Sequence, residues 1–323
     1  MDVILGIDTS CYTTSASLVD LHTGICVNQK QQLLQTKQGE RGLRQSTALF
    51  FHIQNLPNLL RELLSPFEDV NIKAVCASTA PRPVENSYMP VFEAGRSIGQ
   101  SIAAAEKIPF FSTTHQENHI AAALNGITFS TPFLALHLSG GTTELLLAEE
   151  SETGFQVQIL SATKDISFGQ LIDRIGVLCG YSFPAGQALE QAAQSADSNI
   201  SIPVKLYEGD LHLSGAEKQF MDMIGTHSNE EIAHALFQFS AQLLEKWIAH
   251  HAEKSHCQDV LLMGGVSSNQ QIRKYLSNSK KLKNLQLHFA APELCRDNAV
   301  GAAKIGYKFY QTLQRRETTC KIP

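Results

Sequence analysis

Two histidines four residues apart, His115 and His119 in the stretch FSTTHQENHIAAAL, have the types and spacing to do chemistry together. Four residues is about one helical turn, so the two imidazoles share one helix face. Such a pair either supplies two donors of a metal site or sits as two polar side chains on a helix surface. A cation needs a third donor. Asp297, in ELCRDNAVGAAKIGYKFY, stands at a helix start and is followed by the small residues Ala299, Gly301, Ala302 and Ala303. A carboxylate there can project from a close-packed helix into a cleft. Two imidazoles and one carboxylate, with positions left open, suit a catalytic or substrate-orienting Zn²⁺ or Fe²⁺. No sequence feature joins His115 to Asp297, so ligation and plain surface chemistry both stand on the sequence alone.

Three turns offer hydroxyls and bare backbone. HLSGGTTE places Ser139, Gly140, Gly141, Thr142 and Thr143 at a strand end, where exposed amides cradle a phosphate or a carbonyl oxygen, or simply close a hairpin. MGGVSSN sits between a strand and a helix whose N-cap is expected at Ser267 or Ser268. Asn269 can bond a sugar or base edge there, or the segment is simply a tight strand–helix connection. GIDTSCYTT offers Asp8, Thr9, Ser10 and Thr13, with Asp8 and Ser10 as candidate catalytic groups and a capped hairpin as the plain alternative. In the helix SFGQLIDRIGVLCG, Phe168, Leu171, Ile172 and Ile175 form the core stripe and Asp173 lies beside it, flanked by Gly169 and Gly176. Those glycines would bare the backbone for a ligand whose ribose hydroxyls Asp173 accepts. The plain alternative is a solvated, ion-paired aspartate. Together the turns suggest two lobes closing on a nucleotide.

The elements that must position these residues are legible in outline. DVILGIDTS is a strand ending in a polar turn, TSASLVDL alternates as its return strand, and HTG closes a further turn. LALHLSGGTTELLLAEESETG repeats that plan at an offset of 130 residues, which places Thr9 on Ser139, Thr13 on Thr143 and Gly24 on Gly154. Helices are expected over TALFFHIQNLPNLLRELLS, with Pro57 as an interruption, and over EAGRSIGQSIAAAEK and EEIAHALFQFSAQLLEKWIAHHAEK. In the last of these, Ile232, Leu236, Phe239, Leu243 and Trp247 fall on one side. IKAVCAST, IPFFST and DVLLMG read as strands, and RRETTCKIP as a frayed tail. The alternation predicts an α/β chain with mixed sheets, because the opening hairpins are antiparallel. The expected division is a first lobe over 1–128, a second over 129–296, and a helix over 297–315 packing back on the first.

Bulk properties narrow the function. The chain has 323 residues, 43% hydrophobic and 18% charged, enough for a substantial core. A net charge of −5 supplies no global positive field, so an RNA partner requires a local basic patch or a second protein. The seven cysteines form no C-x-x-C pair and are odd in number, which predicts reduced thiols and a cytoplasmic protein. The N-terminus lacks a basic n-region, and no apolar run approaches membrane-spanning length.

In order along the chain, GIDTSC, HQENH, LSGGTTE, FGQLIDRIGVLCGYSFPAGQALE, GGVSSNQQIR and CRDNA resemble the TsaD/Gcp family, the tRNA threonylcarbamoyladenosine transferases once called O-sialoglycoprotein endopeptidases. The resemblance covers nearly the whole chain. It implies the ASKHA fold of actin, sugar kinases and Hsp70, with a nucleotide cleft between two similar lobes. It implies that His115, His119 and Asp297 bind one divalent metal, iron or zinc. It also implies that Ser139, Gly140, Gly141, Asp173, Gly186 and Asn269 line a site for ATP, ADP or an acyl-adenylate. Partners implied are tRNA and the proteins of a tRNA-modification complex, with no membrane.

This chain departs from the family pattern in places. The family's ETSCDET is DTSCYTT here, so Tyr12 and Thr13 replace an acidic pair tied to activity. SGGHTQ becomes SGGTTE, with Thr142 and Glu144 as the replacements. GGVVPELASRxH becomes RGLRQSTALFFH, which keeps His52, and a GPG loop becomes APRPVENSYMP with Arg82 and Glu85. The metal and nucleotide frames are kept while the acceptor side is rebuilt, the pattern of a divergent paralog. The leading expectation is a metal-dependent carbamoyl-type transferase. The alternatives are a non-catalytic nucleotide- and metal-binding partner of a true family member, and a metallopeptidase. The last is disfavoured because Glu117 does not occupy the H-E-x-x-H offset of a zincin base.

Overall fold

The opening apolar run folds as β1 (Asp2–Asp8) and returns antiparallel as β2 (Thr13–Asp20), from Val3 opposite Asp20 to Asp8 opposite Ser15. This is a computed structural model, and it describes residues 1–10, 12–34, 43–196 and 199–319. Cys11, Cys320 and the end of the expected tail lie outside the described residues. The first sheet is completed by β3 (Cys26–Leu33), β4 (Asn71–Ala80) and β5 (Phe110–Thr114), in the order β3-β2-β1-β4-β5. β4 runs parallel to β1 and β5 parallel to β4, so the sheet is mixed as expected.

Strand period two decides which helix lies on which face. Val3, Leu5 and Ile7 join a core with Leu56, Leu59 and Leu63 of α1 (Gln45–Leu64) and with Ala94 and Ala103 of α2 (Phe92–Glu106). The alternate residues Ile4 and Gly6 meet α9 (Val300–Thr319) instead. A Cβ on Gly6 would lie 2.5 Å from Ala303 N, and one on Gly306 would lie 2.6 Å from Cys76 Cβ. The small residues of α9 therefore let its backbone rest directly on the sheet. Contrary to expectation, α1 runs unbroken through Pro57, and its buried row His52, Leu56, Leu59 and Leu63 holds it to the core on both sides of the lost amide. The stretch RRETT is the end of α9, not a tail. After β5 comes α3 (His115–Leu124), nearly all of it buried.

The second sheet has the same plan. It contains β6 (Phe133–Leu138), β7 (Thr143–Glu150), β8 (Phe155–Ala162), β9 (Asp259–Met263) and β10 (Gln286–Phe289), in the order β10-β9-β6-β7-β8. β6 is antiparallel to β7 and parallel to β9, as β1 is to β2 and β4. Around it lie α4 (Phe168–Leu178), α5 (Gly186–Ala192), α6 (Ser214–Met223), α7 (Asn229–Ser255) and α8 (Gln270–Ser277). The predicted stripe of α7 is buried throughout, with Trp247 at 0% exposure. The chain divides into one compact unit of residues 1–126, 150–156 and 296–323, and another of 127–149 and 157–295. No helix among the described residues is long and apolar enough to cross a membrane.

Candidate functional site

In the first unit, α3 is started by a capping box. Thr114 accepts the Glu117 N–H, and the Glu117 carboxylate accepts the Thr114 N–H at 3.0 Å. This makes His115 the first helical residue and places His119 one turn on. The two Nε2 atoms face each other at 3.1 Å. Asp297 Oδ1 lies 3.4 Å from His119 Nε2 and 3.8 Å from His115 Nε2. The donor atoms of the three residues all lie within 4.8 Å of one another, so residues 178 or more apart in sequence meet here as the metal reading requires.

The arrangement behind the donors fits a cation. Asp8 Oδ2 takes His115 Nδ1 at 3.0 Å, which turns Nε2 toward the other donors, as a carboxylate behind a metal-binding histidine does. Burial alone would raise the Asp8 carboxyl, but the His115 imidazole and the hydrogen bonds around it hold it well below the usual carboxylate range. Burial would lower the His115 imidazole, and the facing Asp8 outweighs that and raises it. Asp297, also opposed by burial, is pulled down by His119 and His115. The cluster thus keeps its carboxylates ionised, as ligands must be.

Asn118, fully buried between the two histidines, joins the pieces. Its amide donates to Asp8 Oδ2 at 3.1 Å and to the Asn298 carbonyl at 2.6 Å, and its Oδ1 accepts the Ala302 N–H at 2.7 Å. One side chain therefore ties β1, α3 and the start of α9 together beside Asp297. Gly301 is the counterpart, since a Cβ there would fall 1.8 Å from the Asn118 carbonyl oxygen. Thr13, the first residue of β2, donates to Asp297 Oδ2 at 3.3 Å. Neither Asn118 nor the Thr13 contact is visible in motif spacing; only the buried polar character of a helix interior hints at Asn118.

The other residues of this unit take roles that the sequence leaves open. Asp8 and Ser10 are both at 0% exposure, and the Ser10 N–H donates to Asp8 while its hydroxyl has no hydrogen-bond partner among the described residues. As a general base, Asp8 is spent on His115, Asn118 and Ser10. Glu117 is spent on the capping box and on the Phe155 N–H at 3.4 Å, which leaves the peptidase reading without its base. His52 Nδ1 meets Thr14 Oγ1 at 2.8 Å, one residue from Thr13.

In the second unit, residues 139–142 close a turn in which the Ser139 N–H donates to the Thr142 carbonyl and the Thr142 N–H to Ser139 Oγ at 3.0 Å. The start of α4 is welded to this turn. Ser167 Oγ donates to the Gly140 carbonyl at 2.7 Å, and the Phe168 N–H donates to Thr143 Oγ1 at 2.9 Å. A Cβ on Gly140 or Gly141 would meet nothing within 4 Å, so the outer side of this loop is open.

Gly169 and Gly176, expected to bare backbone for a ligand, serve packing instead. A Cβ on Gly169 would lie 2.4 Å from Gly140 Cα, and one on Gly176 would lie 2.3 Å from Ala185 Cβ. Asp173 is half-buried, and its Oδ1 accepts the Ala185 N–H at 2.8 Å, capping the short α5 that Gly186 begins. Burial raises its carboxyl against the pull of the Ala185 and Gly186 amides. The N-cap of α8 is Asn269, not Ser267 or Ser268. Its Oδ1 accepts the Ile272 N–H at 2.9 Å, because residues 265–268 form a 3₁₀ turn that delays the helix. Gly264, at φ +92, permits that turn to touch the end of β6, 2.3 Å from a built Cβ to the Leu138 carbonyl oxygen.

Comparison with known proteins adds to this geometry. The profile described as "TsaD: tRNA N6-adenosine threonylcarbamoyltransferase" matches residues 28–304. A protein named tRNA N6-adenosine threonylcarbamoyltransferase from Thermotoga neapolitana is 25% identical over 313 residues, 94% of this chain and 93% of the relative. One of the same name from a Sulfurihydrogenibium species is 29% identical over 321 residues, 96% and 91%. Among solved structures, full-length HypF in its phosphate- and nucleotide-bound form has a TM-score of 0.63 at 12% identity, over 96% of this chain and 47% of that one. A ROK family glucokinase from Streptomyces griseus has a TM-score of 0.51 at 12% identity, over 94% and 98%. The fold is that of the ASKHA proteins, α/β with two mixed five-stranded sheets.

Proposed function

The chain belongs to the tRNA N6-adenosine threonylcarbamoyltransferase family, and from that premise we propose that it moves a threonylcarbamoyl group from an adenylate donor to the N6 amine of an adenosine in tRNA. In this reaction the amine nitrogen forms a bond to the carbamoyl carbon, the bond from that carbon to the phosphate oxygen breaks, AMP leaves, and the amine gives up a proton. The observation that carries the reading is the convergence of His115, His119 and Asp297 with Asp8 fixed behind them.

His115 Nε2, His119 Nε2 and Asp297 would hold one divalent cation, zinc or iron, for which this nitrogen and oxygen set is suited. When bound, the cation supplies Lewis-acid polarisation and charge neutralisation at donor oxygens. Asp8 holds the His115 tautomer that ligation requires, and Asn118 keeps the segment carrying Asp297 against α3. In the second unit, the open amide face at Gly140 and Gly141 is suited to phosphate oxygens, and Asp173 and Asn269 to the nucleoside, as the family resemblance implies. Tyr12 and Thr13 give no charged proton acceptor beside Asp297, so the amine proton leaves to solvent or to the departing phosphate. The protein acts in the cytoplasm, with the partner proteins of its family.

The test is incubation of the metal-loaded chain with threonylcarbamoyl-adenylate, unmodified tRNA and family partner proteins, followed by mass spectrometry of the digested nucleosides. Appearance of N6-threonylcarbamoyladenosine, lost in His119→Ala, is expected. Binding of metal and adenylate without product would overturn the transferase reading in favour of a non-catalytic partner.

A further inference from the structure

Asp297 presents its two oxygens to different neighbours: Oδ1 to the imidazoles of His115 and His119, and Oδ2 to the hydroxyl of Thr13. The backbone on either side of Asp297 is fixed. Asn298 Nδ2 donates to the Arg296 carbonyl at 2.8 Å, Asn298 Oδ1 accepts the Val300 N–H at 2.9 Å, and the Asn298 carbonyl accepts from Asn118. What a fixed backbone does not settle is rotation of the carboxylate about its terminal bond, which in aspartate is broad and has no single staggered preference. The Asp297 side chain is 30% exposed, so solvent on that side does not lock it either.

Thr13 is built to settle it. The residue is 8% exposed, its N–H donates to the Ser10 carbonyl at 3.0 Å, and its backbone sits in the β2–β3 ladder opposite Leu33. Thr14 beside it is pinned by His52 and by Asn55. The Thr13 hydroxyl is therefore held on a rigid strand end, pointed at the carboxylate oxygen that the two imidazoles do not face.

We propose that Thr13 is a positioning residue for the metal centre: by occupying Asp297 Oδ2 it makes Asp297 a one-oxygen ligand through Oδ1, leaving more of the cation's coordination shell to substrate. The inference rests on the metal reading above. Thr13→Val removes the hydroxyl and keeps the shape. Thr13→Ser keeps the hydroxyl.

The experiment is cobalt titration of the metal-stripped full-length chain, with affinity measured by competition with a chelator and the visible absorption of the bound cobalt reporting its coordination number. Loss of an orienting partner behind a metal ligand lowers affinity roughly 10–100-fold, and that loss is expected for Thr13→Val, together with weaker visible absorption as the second carboxylate oxygen joins the shell. Thr13→Ser is expected to stay within about threefold of wild type with an unchanged spectrum, since the donor is retained. Thr13→Ala carries the same expectation as the valine variant and is used if the metal-free melting temperature shows that valine disturbs the fold. Valine and alanine variants that match wild type in both affinity and spectrum would overturn the role of Thr13 and leave the metal centre standing. A wild-type chain that takes up no cobalt would overturn the metal centre itself.

Discussion

A carboxylate at 0% exposure with three donors around it, as Asp8 is, cannot meet a substrate, but it can set the affinity of the histidine it holds. Asp8→Asn should lower cobalt affinity by about 10–100-fold and leave adenylate affinity unchanged, which calorimetry on the same protein checks. The His115 shift fixes the sign of a pH dependence. Its pKa is raised above 6.5 in the metal-free fold, so cation binding must expel a proton, and affinity should fall as pH drops below the raised value and level off above it. In the metal-free chain the stabilising contribution of protonated His115 is complete below pH 6.5 and is lost as pH rises through the raised value; melting curves across that window test it. Tyr12 is 40% exposed beside Thr13. With the acidic pair replaced, transfer should be slow, and Tyr12→Asp should quicken it without disturbing the Thr13 bond to Asp297. A wild type as fast as an acid-bearing relative, measured by nucleoside mass spectrometry, would show the acids to be dispensable. His115 and His119 were readable as a pair from their four-residue spacing, whereas nothing in local pattern joins them to Asp297, 178 residues beyond His119. The link from Asp8 to His115 spans 107 residues and leaves no mark on local pattern.

Elements place these side chains through close approaches that composition states and spacing does not. Gly301 is the tightest, and Gly301→Ala should destabilise the fold by about 3 kcal/mol or more, because the methyl would overlap the Asn118 carbonyl and neither backbone can yield. Gly141→Ala, with open space around it, should leave the melting temperature unchanged and weaken adenylate binding if the loop cradles phosphate. A second device is a remote cap. Asp165, in the link from β8 to α4, accepts the Leu213 and Ser214 N–H groups at 2.9 and 3.0 Å and the Ser214 hydroxyl, starting α6 from outside its own sequence. Burial opposes ionisation, but these donors hold its carboxyl well below 3.8. Its contribution, roughly 1 kcal/mol for a cap and less for an exposed one, is present above pH 3.8 and lost as pH falls toward the lowered value. The stability gap between wild type and Asp165→Asn should therefore close in acid. The strands and long helices were legible because their periodicities are local. Pro57, the Asn269 cap and the packing glycines were not, because each depends on what a distant segment does.

At the scale of the molecule, the two sheets repeat one connectivity, and β2 maps onto β7 residue for residue at the offset of 130 seen in the sequence. The hairpin pattern was therefore a true reading of architecture, while for the donor set and the glycine loop residue types offered candidates beside plain alternatives and the resemblance alone chose between them. A net charge of −5 bears on the RNA partner. The chain alone should bind tRNA no tighter than non-specific association, ~10⁻⁴–10⁻⁶ M at physiological salt, and a basic partner protein should tighten it. Filter binding in the sub-micromolar range for the chain alone would contradict this. The return of α9 to the first unit also sets a schedule for biosynthesis. β1 and β4 leave the ribosome early, yet the helix that covers Ile4, Gly6 and Cys76 emerges roughly 190 residues after β5, a delay of ~10–40 s at ordinary elongation rates. Throughout that interval one sheet face stays bare and Asp297 does not yet exist. Nascent chains should accordingly recruit chaperones at the first unit, and a prematurely terminated product ending at Cys295 should neither load metal nor stay dispersed, so that metal uptake itself certifies a chain translated through α9.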